Sequence, residues 1–397
     1  MQPDDELLAD LAEDDLDAPP TPTAKLSDNE IEERYANISL RVIYQTNNFF
    51  LPQIQNLING KEVLNLRPEY QRRLRWTQKK KSQLIESLLL NIPVPPVFFY
   101  ESDLARYEVM DGQQRLNAIH DYLENNFKLT GLETLSFLSG KSFKQLPPKV
   151  RRGLERASIS AIVLLQETKS DKSDPFIVRR YVFERLNTGG EKLNPQEIRN
   201  SLYRGPFNEM IVSLARNDTF CSIFQIPKYT ETDESEYYEN SDRQKNSLYS
   251  RMNDCQIVLR FFALLDDSNI KGSMRSILDK CMKDNSDTAP ETISKNKALF
   301  AETIQVCSDI FDGVPFSLPP DDKGRRRVSI GLYDALMVGI YRCGKDADDL
   351  RVAKRKLKNA ITAEVRANVE LFTGKANTAQ SIKDRIGKVV STIKATL

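Results

Sequence analysis

Four polar residues cluster where a short apolar run gives way to a helical pattern: Asp111, Gln113, Gln114 and Arg115, with Gly112 between the first two. A strand-to-helix turn directs backbone N–H groups and the positive end of the helix dipole at one point, which favours an anion. Gly112 has no Cβ to hinder a phosphate, and Arg115 can give phosphate two parallel hydrogen bonds. The residues therefore predict an anion site, although Asp and Gly are also ordinary turn and cap residues.

The neighbouring residues must form a strand and a helix to position this turn. The apolar run that ends at Val109 and Met110 predicts a buried strand, and apolar residues recur at helical spacing from Leu116. Asp111 is then placed to hold a water or a magnesium ion, which makes Mg²⁺ the expected cofactor. Gln113 and Gln114 add neutral hydrogen-bond donors.

A second block, from Tyr70 to Trp76, interleaves aromatic rings with arginines. Rings can stack on bases and arginines can bind phosphates, although both rings could equally belong to the core. Three lysines then fall in the predicted first turn of a helix capped by Thr77, where cations oppose the helix dipole, which hints at an external polyanion. The predicted nucleic-acid contacts are Arg73, Arg75, Lys79, Lys80 and Lys81.

Three blocks of this sequence together resemble the DGQQR family (domain of unknown function 262). The family comprises the N-terminal domains of GmrSD-type, modification-dependent restriction enzymes, within the ParB/sulfiredoxin-like superfamily. The blocks occur in the expected order over roughly residues 45–205 and are Glu69 to Arg72 with Trp76, Asp111 to Arg115, and Phe183 to Gly190.

The resemblance implies a nucleoside triphosphate (NTP) pocket formed by all three blocks. It implies catalytic roles for Asp111, Gln114 and Arg115, with Asp111 also binding the metal. The residues alone leave the third block open, because Asn187 to Gly190 also suits a helix end and a turn. The implied nucleotide contacts are Tyr70, Gln71, Arg72, Gly112, Gln113, Arg185, Asn187 and Thr188.

Pattern and resemblance together predict an α+β fold: a small mixed ParB/sulfiredoxin-like sheet with helices, followed by an all-α C-terminal domain. Residues 1–26 are acidic, contain prolines and lack aromatic residues, so we expect a disordered acidic tail. The DGQQR domain is expected over residues 27–205 and the helical domain over residues 206–397, where the spacing of apolar residues predicts helices only.

Composition limits the class of protein. The 397 residues are 40% hydrophobic and 28% charged, which is typical of a soluble globular protein. No apolar run reaches membrane-spanning length and the acidic start does not fit a signal peptide, so we expect a cytoplasmic protein without a membrane partner. The five cysteines are far apart and odd in number, which suits free thiols rather than zinc ligands or disulfides. A net charge of +1 leaves only local basic patches for DNA.

The single histidine, His120, argues against a His-Asn-His nuclease, which needs more than one. We therefore expect an NTP-hydrolysing, DNA-sensing component of a prokaryotic antiphage or restriction system. Its partners would be DNA, in particular modified phage DNA, a nuclease partner protein and further copies of itself. Two alternatives stay open: a ParB-like DNA-binding protein without turnover, and a nuclease that uses the DGQQR domain itself.

Overall fold

The computed structural model describes residues 3–13, 27–36, 42–60, 63–65, 76–165, 181–182, 185, 193–203, 205–232, 237, 240–320, 327–373 and 377–397. The chain divides into two compact units. We call residues 22–193 the sheet unit and residues 1–21 with 194–397 the helical unit.

The sheet unit is built on five strands in the order β1-β5-β3-β4-β2. The sheet is mixed, because β1 with β5 and β3 with β4 pair antiparallel, while β3 with β5 and β2 with β4 pair parallel. The strands are β1 (Tyr44–Phe50), β2 (Leu64–Asn65), β3 (Val97–Asp103), β4 (Arg106–Asp111) and β5 (Ser158–Leu164).

Helices pack on this sheet around one apolar core, to which β3 contributes Val97 and Phe99 and β5 contributes Ala161 and Val163. Their ends follow local sequence signals: the N–H of Lys80 donates to the Thr77 hydroxyl at the start of the fourth helix, as predicted. The helices of the sheet unit are α2 (Asp28–Ala36), α3 (Leu51–Asn59), α4 (Gln78–Leu89), α5 (Gln113–Leu123) and α6 (Pro148–Glu155), with 3₁₀ turns at Ser136–Leu138 and Phe143–Gln145.

The described part of the helical unit confirms the prediction of helices beyond Phe207. Together with the sheet unit, it confirms the α+β fold class. Its helices are α1 (Pro3–Glu13), α7 (Pro195–Leu202), α8 (Pro206–Leu214), α9 (Asp218–Ile223), α10 (Ser241–Lys245), α11 (Ser247–Ser250), α12 (Asn253–Ala263), α13 (Met274–Asp284), α14 (Pro290–Ile310), α15 (Ile330–Arg342), α16 (Ala347–Val352), α17 (Lys354–Ala367), α18 (Val369–Phe372) and α19 (Ala379–Thr396).

The prediction of a disordered tail over residues 1–26 is wrong for residues 3–13, which form helix α1. Leu7 and Leu11 lie one helical turn apart and are both buried in the helical unit. Between them, the Asp10 carboxylate accepts a hydrogen bond from Arg327, 2.5 Å away. The acidic composition of this segment gave no indication of a buried helix. The two leucines and the ion pair are buried by contacts with residues more than 200 positions away in the chain.

The helical unit also contains a fully buried ionic cluster. The Asp334 carboxylate accepts hydrogen bonds from Arg260 on one side and Arg385 on the other, and all three side chains are shielded from solvent. Because a buried charge without its partner is costly, this cluster fixes how α12, α15 and α19 pack.

The change from sheet unit to helical unit lies at residues 193/194, whereas we predicted a domain boundary at 205/206. Asn194 caps α7 through the N–H of Glu197, as predicted. Arg199 on α7 donates to the buried carboxylate of Asp279 in α13, so α7 packs within the helical unit. The domain limits proposed from the sequence remain predictions.

Glu86 on α4 anchors a loop of the sheet unit. Its buried carboxylate accepts hydrogen bonds from the backbone N–H groups of Glu133, Thr134 and Leu135 at 3.2, 2.8 and 2.7 Å. Burial raises the pKa of Glu86, but these three donors lower it by more, so the net pKa lies below its ordinary value of 4.5.

We expect Glu86→Gln to lower the free energy of unfolding by about 1–3 kcal/mol at neutral pH, since the amide loses the charge-assisted bonds. A depressed folded-state pKa stabilises the protein above the unfolded-state pKa, and this contribution disappears as pH falls through the folded-state value. The difference between wild type and variant should therefore shrink below about pH 4.5. Urea unfolding of wild type and Glu86→Gln from pH 7 to pH 3 measures this difference in the free energy of unfolding. Glu155→Gln on the surface of α6 is the control. A constant difference across this range would contradict the assignment.

Candidate functional site

The turn between β4 and α5 has the predicted strand-to-helix geometry. Strand β4 ends at Asp111, Gly112 adopts a left-handed conformation with φ 93° and ψ 9°, and α5 begins at Gln113. The N–H of Leu116 donates to the Gly112 carbonyl at 3.0 Å, and no side chain caps the helix. By helix geometry the three N–H groups before it have no acceptor within α5, so they point beyond the helix start.

Gly112 is required here by packing as well as by its backbone conformation. A Cβ at this residue would lie 2.5 Å from Cγ1 of Val97, closer than any real contact, and 3.0 Å from Nη2 of Arg115. The sequence suggested that the missing Cβ leaves room for a phosphate. Instead, the core side chain of Val97 lies next to that space.

Arg115 connects three segments at the turn. Its Nη2 donates to the Asp111 carboxylate at 2.8 Å and to the carbonyl of Pro96 at 3.2 Å. The side chain is 16% exposed, and its Nε is buried without a hydrogen-bond partner among the described residues. A buried unsatisfied donor is uncommon and calls for an explanation such as an absent ligand or water.

Gln114 links the turn to the start of α4. Its side-chain oxygen accepts a hydrogen bond from the backbone N–H of Trp76 at 3.3 Å. Trp76 is half-buried against the sheet unit's core, and the ammonium of Lys80 lies 5.0 Å from the centre of its ring. The tryptophan is thus a core-packing residue whose outer part forms a cation–π contact with Lys80, and stacking on a base stays a prediction.

The three lysines of α4 differ in their surroundings. Lys81 forms an ion pair with Asp121 on α5, with 2.7 Å between Nζ and Oδ2. Lys79 and Lys80 are exposed, and the aliphatic stem of Lys79 runs close to Gly131. Of the three, Lys79 and Lys80 are therefore better placed to meet an external anion.

The structure brings Asp111, Gly112, Gln113, Gln114 and Arg115 together at one turn. Arg185 is exposed, and its guanidinium lies 4.4 Å from the ring centre of Tyr181. The remaining predicted contacts lie outside the described residues: Tyr70, Gln71, Arg72, Arg73, Arg75, Asn187 and Thr188. Most of the predicted helix Pro175–Arg185 also lies outside them.

A comparison with known protein families matches the segment that contains this turn. Residues 54–204 match the family described as GmrSD restriction endonuclease, N-terminal domain, and we call this segment the GmrSD domain. Searches of curated proteins and of solved structures find no match to the chain. The match over residues 54–204 suggests a component of a restriction system, a family that implies DNA as a partner.

The GmrSD domain contains few groups suited to metal chemistry. Among the described residues, no three His, Cys, Asp or Glu side chains come together in a way that could hold an ion. Nε2 of His120 lies 2.9 Å from the Asn59 side-chain oxygen, which is a structural contact between α5 and α3. Asp111 is thus a single carboxylate that already accepts a hydrogen bond from Arg115. The five cysteines are free thiols, as predicted.

Sequence reasoning missed the residues that hold the GmrSD turn in place. The spacing of four between Asp111 and Arg115 could have indicated their ion pair, since such residues face each other on a helical turn. The contacts with Pro96, Val97 and Trp76 had no such signal, because they join distant segments.

No described helix is both long enough and apolar enough to cross a bilayer.

We expect Gly112→Ala to lower the free energy of unfolding by about 2–4 kcal/mol, from left-handed strain and overpacking against Val97. Val97→Ala should cost about 2 kcal/mol through its cavity. The double variant should lose at least about 1 kcal/mol less than the sum, because the second change makes room for the first. Chemical denaturation of all four proteins measures this coupling. Strict additivity would mean that Val97 does not limit the space at residue 112.

Proposed function

We propose that the protein binds and hydrolyses an NTP at the GmrSD turn and couples this reaction to sensing of DNA. The observation that carries the proposal is the buried Nε of Arg115, which has no partner among the described residues and lies beside an uncapped helix start. A phosphate oxygen at the start of α5 would satisfy this donor and would lie at the positive end of the helix dipole.

In this proposal the side chains of the turn have separate roles. Arg115 holds a phosphate through Nε, because its Nη2 already donates to Asp111 and Pro96. Gln113 and Gln114 add neutral donors, and the contact of Gln114 with the Trp76 N–H holds it beside the helix start. Asp111 positions the attacking water, because its carboxylate lies next to the guanidinium that would hold the phosphate. Tyr70, Gln71, Arg72, Arg185, Asn187 and Thr188 complete the proposed nucleotide contacts.

Mg²⁺ is part of the proposal only together with the nucleotide. Magnesium usually binds one or two carboxylates, several waters and the substrate phosphates. Asp111 can supply one carboxylate oxygen, while the other accepts from Arg115. When bound, the ion would offset the negative charge that a triphosphate brings next to Asp111.

DNA cleavage is left to a nuclease partner protein in this proposal. Such a partner would act after DNA recognition alters the NTP state of the GmrSD domain, as expected for a sensor of modified DNA. His120 contacts Asn59, and the described residues offer no cluster for a catalytic metal.

The NTPase proposal is tested by phosphate release with each of the four NTPs, with and without modified DNA. Removing charge-assisted contacts costs about 1.5–3 kcal/mol, so Arg115→Ala should lower kcat/KM by about 10- to 150-fold. Asp111→Ala should abolish the response to Mg²⁺. Arg151→Ala is the matched control, because Arg151 also faces an acidic residue four positions away but lies on the surface of α6.

Thermal unfolding of each variant separates loss of function from loss of fold, since Arg115 also bonds to Pro96. Arg115→Lys adds a further distinction, because lysine restores one charge but no fork of donors. Phosphate release equal to that of wild type in folded Arg115→Ala and Asp111→Ala would refute the proposal.

A second candidate function is DNA binding without turnover, which the exposed Lys79 and Lys80 favour. Each lysine that contacts duplex phosphate steepens the fall of log Kobs with log salt by about 0.9. Replacing both by alanine should therefore reduce the slope by about 2. Lys81→Ala should change it less, because Lys81 is paired with Asp121. Fluorescence anisotropy with labelled duplex measures the slopes, and Lys149→Ala on α6 is the exposed control. Equal slopes would argue against contact at α4.

A further inference from the structure

Strand β1 forms one edge of the sheet. It pairs with β5 on one side and with no other described strand on the other. The N–H of Leu165 donates to Ile43 and that of Leu51 donates to Ala157, so odd-numbered residues of β1 direct their backbone groups at β5. In an antiparallel ladder this direction alternates. The N–H and C=O groups of Tyr44, Thr46 and Asn48 therefore point outward from the sheet.

Within its described residues, Tyr44–Phe50, strand β1 has no charge, proline or bulge to protect this edge. Natural edge strands are guarded by charges, prolines or bulges, because an open row of backbone groups recruits another strand. The seven residues of β1 include no charged residue and no proline, and its pairing with β5 is regular over the whole strand. Tyr44 is 62% exposed and Phe50 is 53% exposed.

The core-facing side chains of β1 fix the position of the strand in the sheet. Phe49 packs on Phe99 in the core, with ring centres 6.5 Å apart. The N–H of Phe50 is already bonded to the Gln53 side chain at 2.8 Å, which limits pairing beyond that end. The outward edge is thus a rigid template of fixed length.

The sequence of β1 is complementary to a second, antiparallel copy of itself. If Asn47 lies on a two-fold axis, Tyr44 of each copy faces Phe50 of the other, and Thr46 faces Asn48. The outward backbone groups of Thr46 and Asn48 then meet as hydrogen-bonded pairs, while Tyr44 lies opposite Phe50, whose N–H stays bonded to Gln53. Aromatic pairs at both ends add to the stability of such a ladder.

We propose that two copies of this protein associate through β1 in this register, forming one continuous sheet across a two-fold axis. A two-fold interface needs a surface that is complementary to itself, and this strand meets that condition without placing like charges opposite each other. The proposal is independent of the NTPase activity, because it depends only on the edge of the sheet.

Charge pairs at the two central positions test both the interface and its register. Thr46→Lys with Asn48→Lys places lysines opposite each other, whereas Thr46→Lys with Asn48→Glu places each lysine opposite a glutamate. Wild type should sediment as a dimer in analytical ultracentrifugation at micromolar concentration. The Lys/Lys variant should raise the dimer dissociation constant at least tenfold, and the Lys/Glu variant should remain close to wild type and become salt-sensitive.

A second variant keeps the test valid if charges disturb folding. Thr46→Pro removes an outward N–H and leaves the ladder to β5 complete, so it should give a folded monomer by circular dichroism and sedimentation. A wild-type monomer at all concentrations, or a dimer that survives both Lys/Lys and Thr46→Pro, would overturn the proposal. A Lys/Glu variant as monomeric as Lys/Lys would overturn the register.

Discussion

The candidate site depends on the close approach of Val97 to Gly112. Since a side chain at residue 112 would overlap Val97, the start of β3 and the start of α5 can approach only across a glycine. Arg115 then reaches back to the Pro96 carbonyl and to Asp111, so that β3, β4 and α5 meet at one guanidinium. The position of Arg115 is therefore set by core packing, and any ligand meets a side chain that is already held in place. Such preorganisation lowers the ordering cost of binding.

The same contacts leave Arg115 with a carboxylate on one nitrogen and, within the described part of the chain, an unused donor on another. Its Nη2 bonds to Asp111, while its Nε lacks a partner among the described residues. A phosphate that binds Nε would lie close to the Asp111 carboxylate, and two negative groups so placed repel each other unless a cation or the guanidinium lies between them. Under the proposed function, charge balance at this turn therefore requires a metal ion together with the nucleotide. It also explains why loss of Asp111 and loss of Arg115 need not have the same effect.

Much of the sheet unit could be predicted because its signals are local. The Thr77 cap and the strand that ends at the turn before α5 are each encoded within a few residues, and the structure contains both. Strand β1 had no such signal, since Tyr44 to Phe50 becomes a strand by pairing with β5 more than 100 residues later. The candidate site differs in the same way. Its turn could be predicted from the local sequence Asp111 to Arg115, but its contacts with Val97 and Trp76 depend on tertiary structure.

Internal ion pairs also narrow where DNA could bind. The basic helices α16 and α17 are also candidates for phosphate contact, yet Lys358 is bonded to Asp312 and Arg351 to Asp309. Lys79 and Lys80 remain exposed at the start of α4, and the adjacent Trp76 backbone is bonded to Gln114 in the turn. DNA bound at this first turn of α4 would therefore act on Gln114, a residue of the proposed phosphate site. That hydrogen bond joins the proposed DNA surface to the proposed phosphate site, so it is a route by which the two proposed functions would be coupled within the sheet unit.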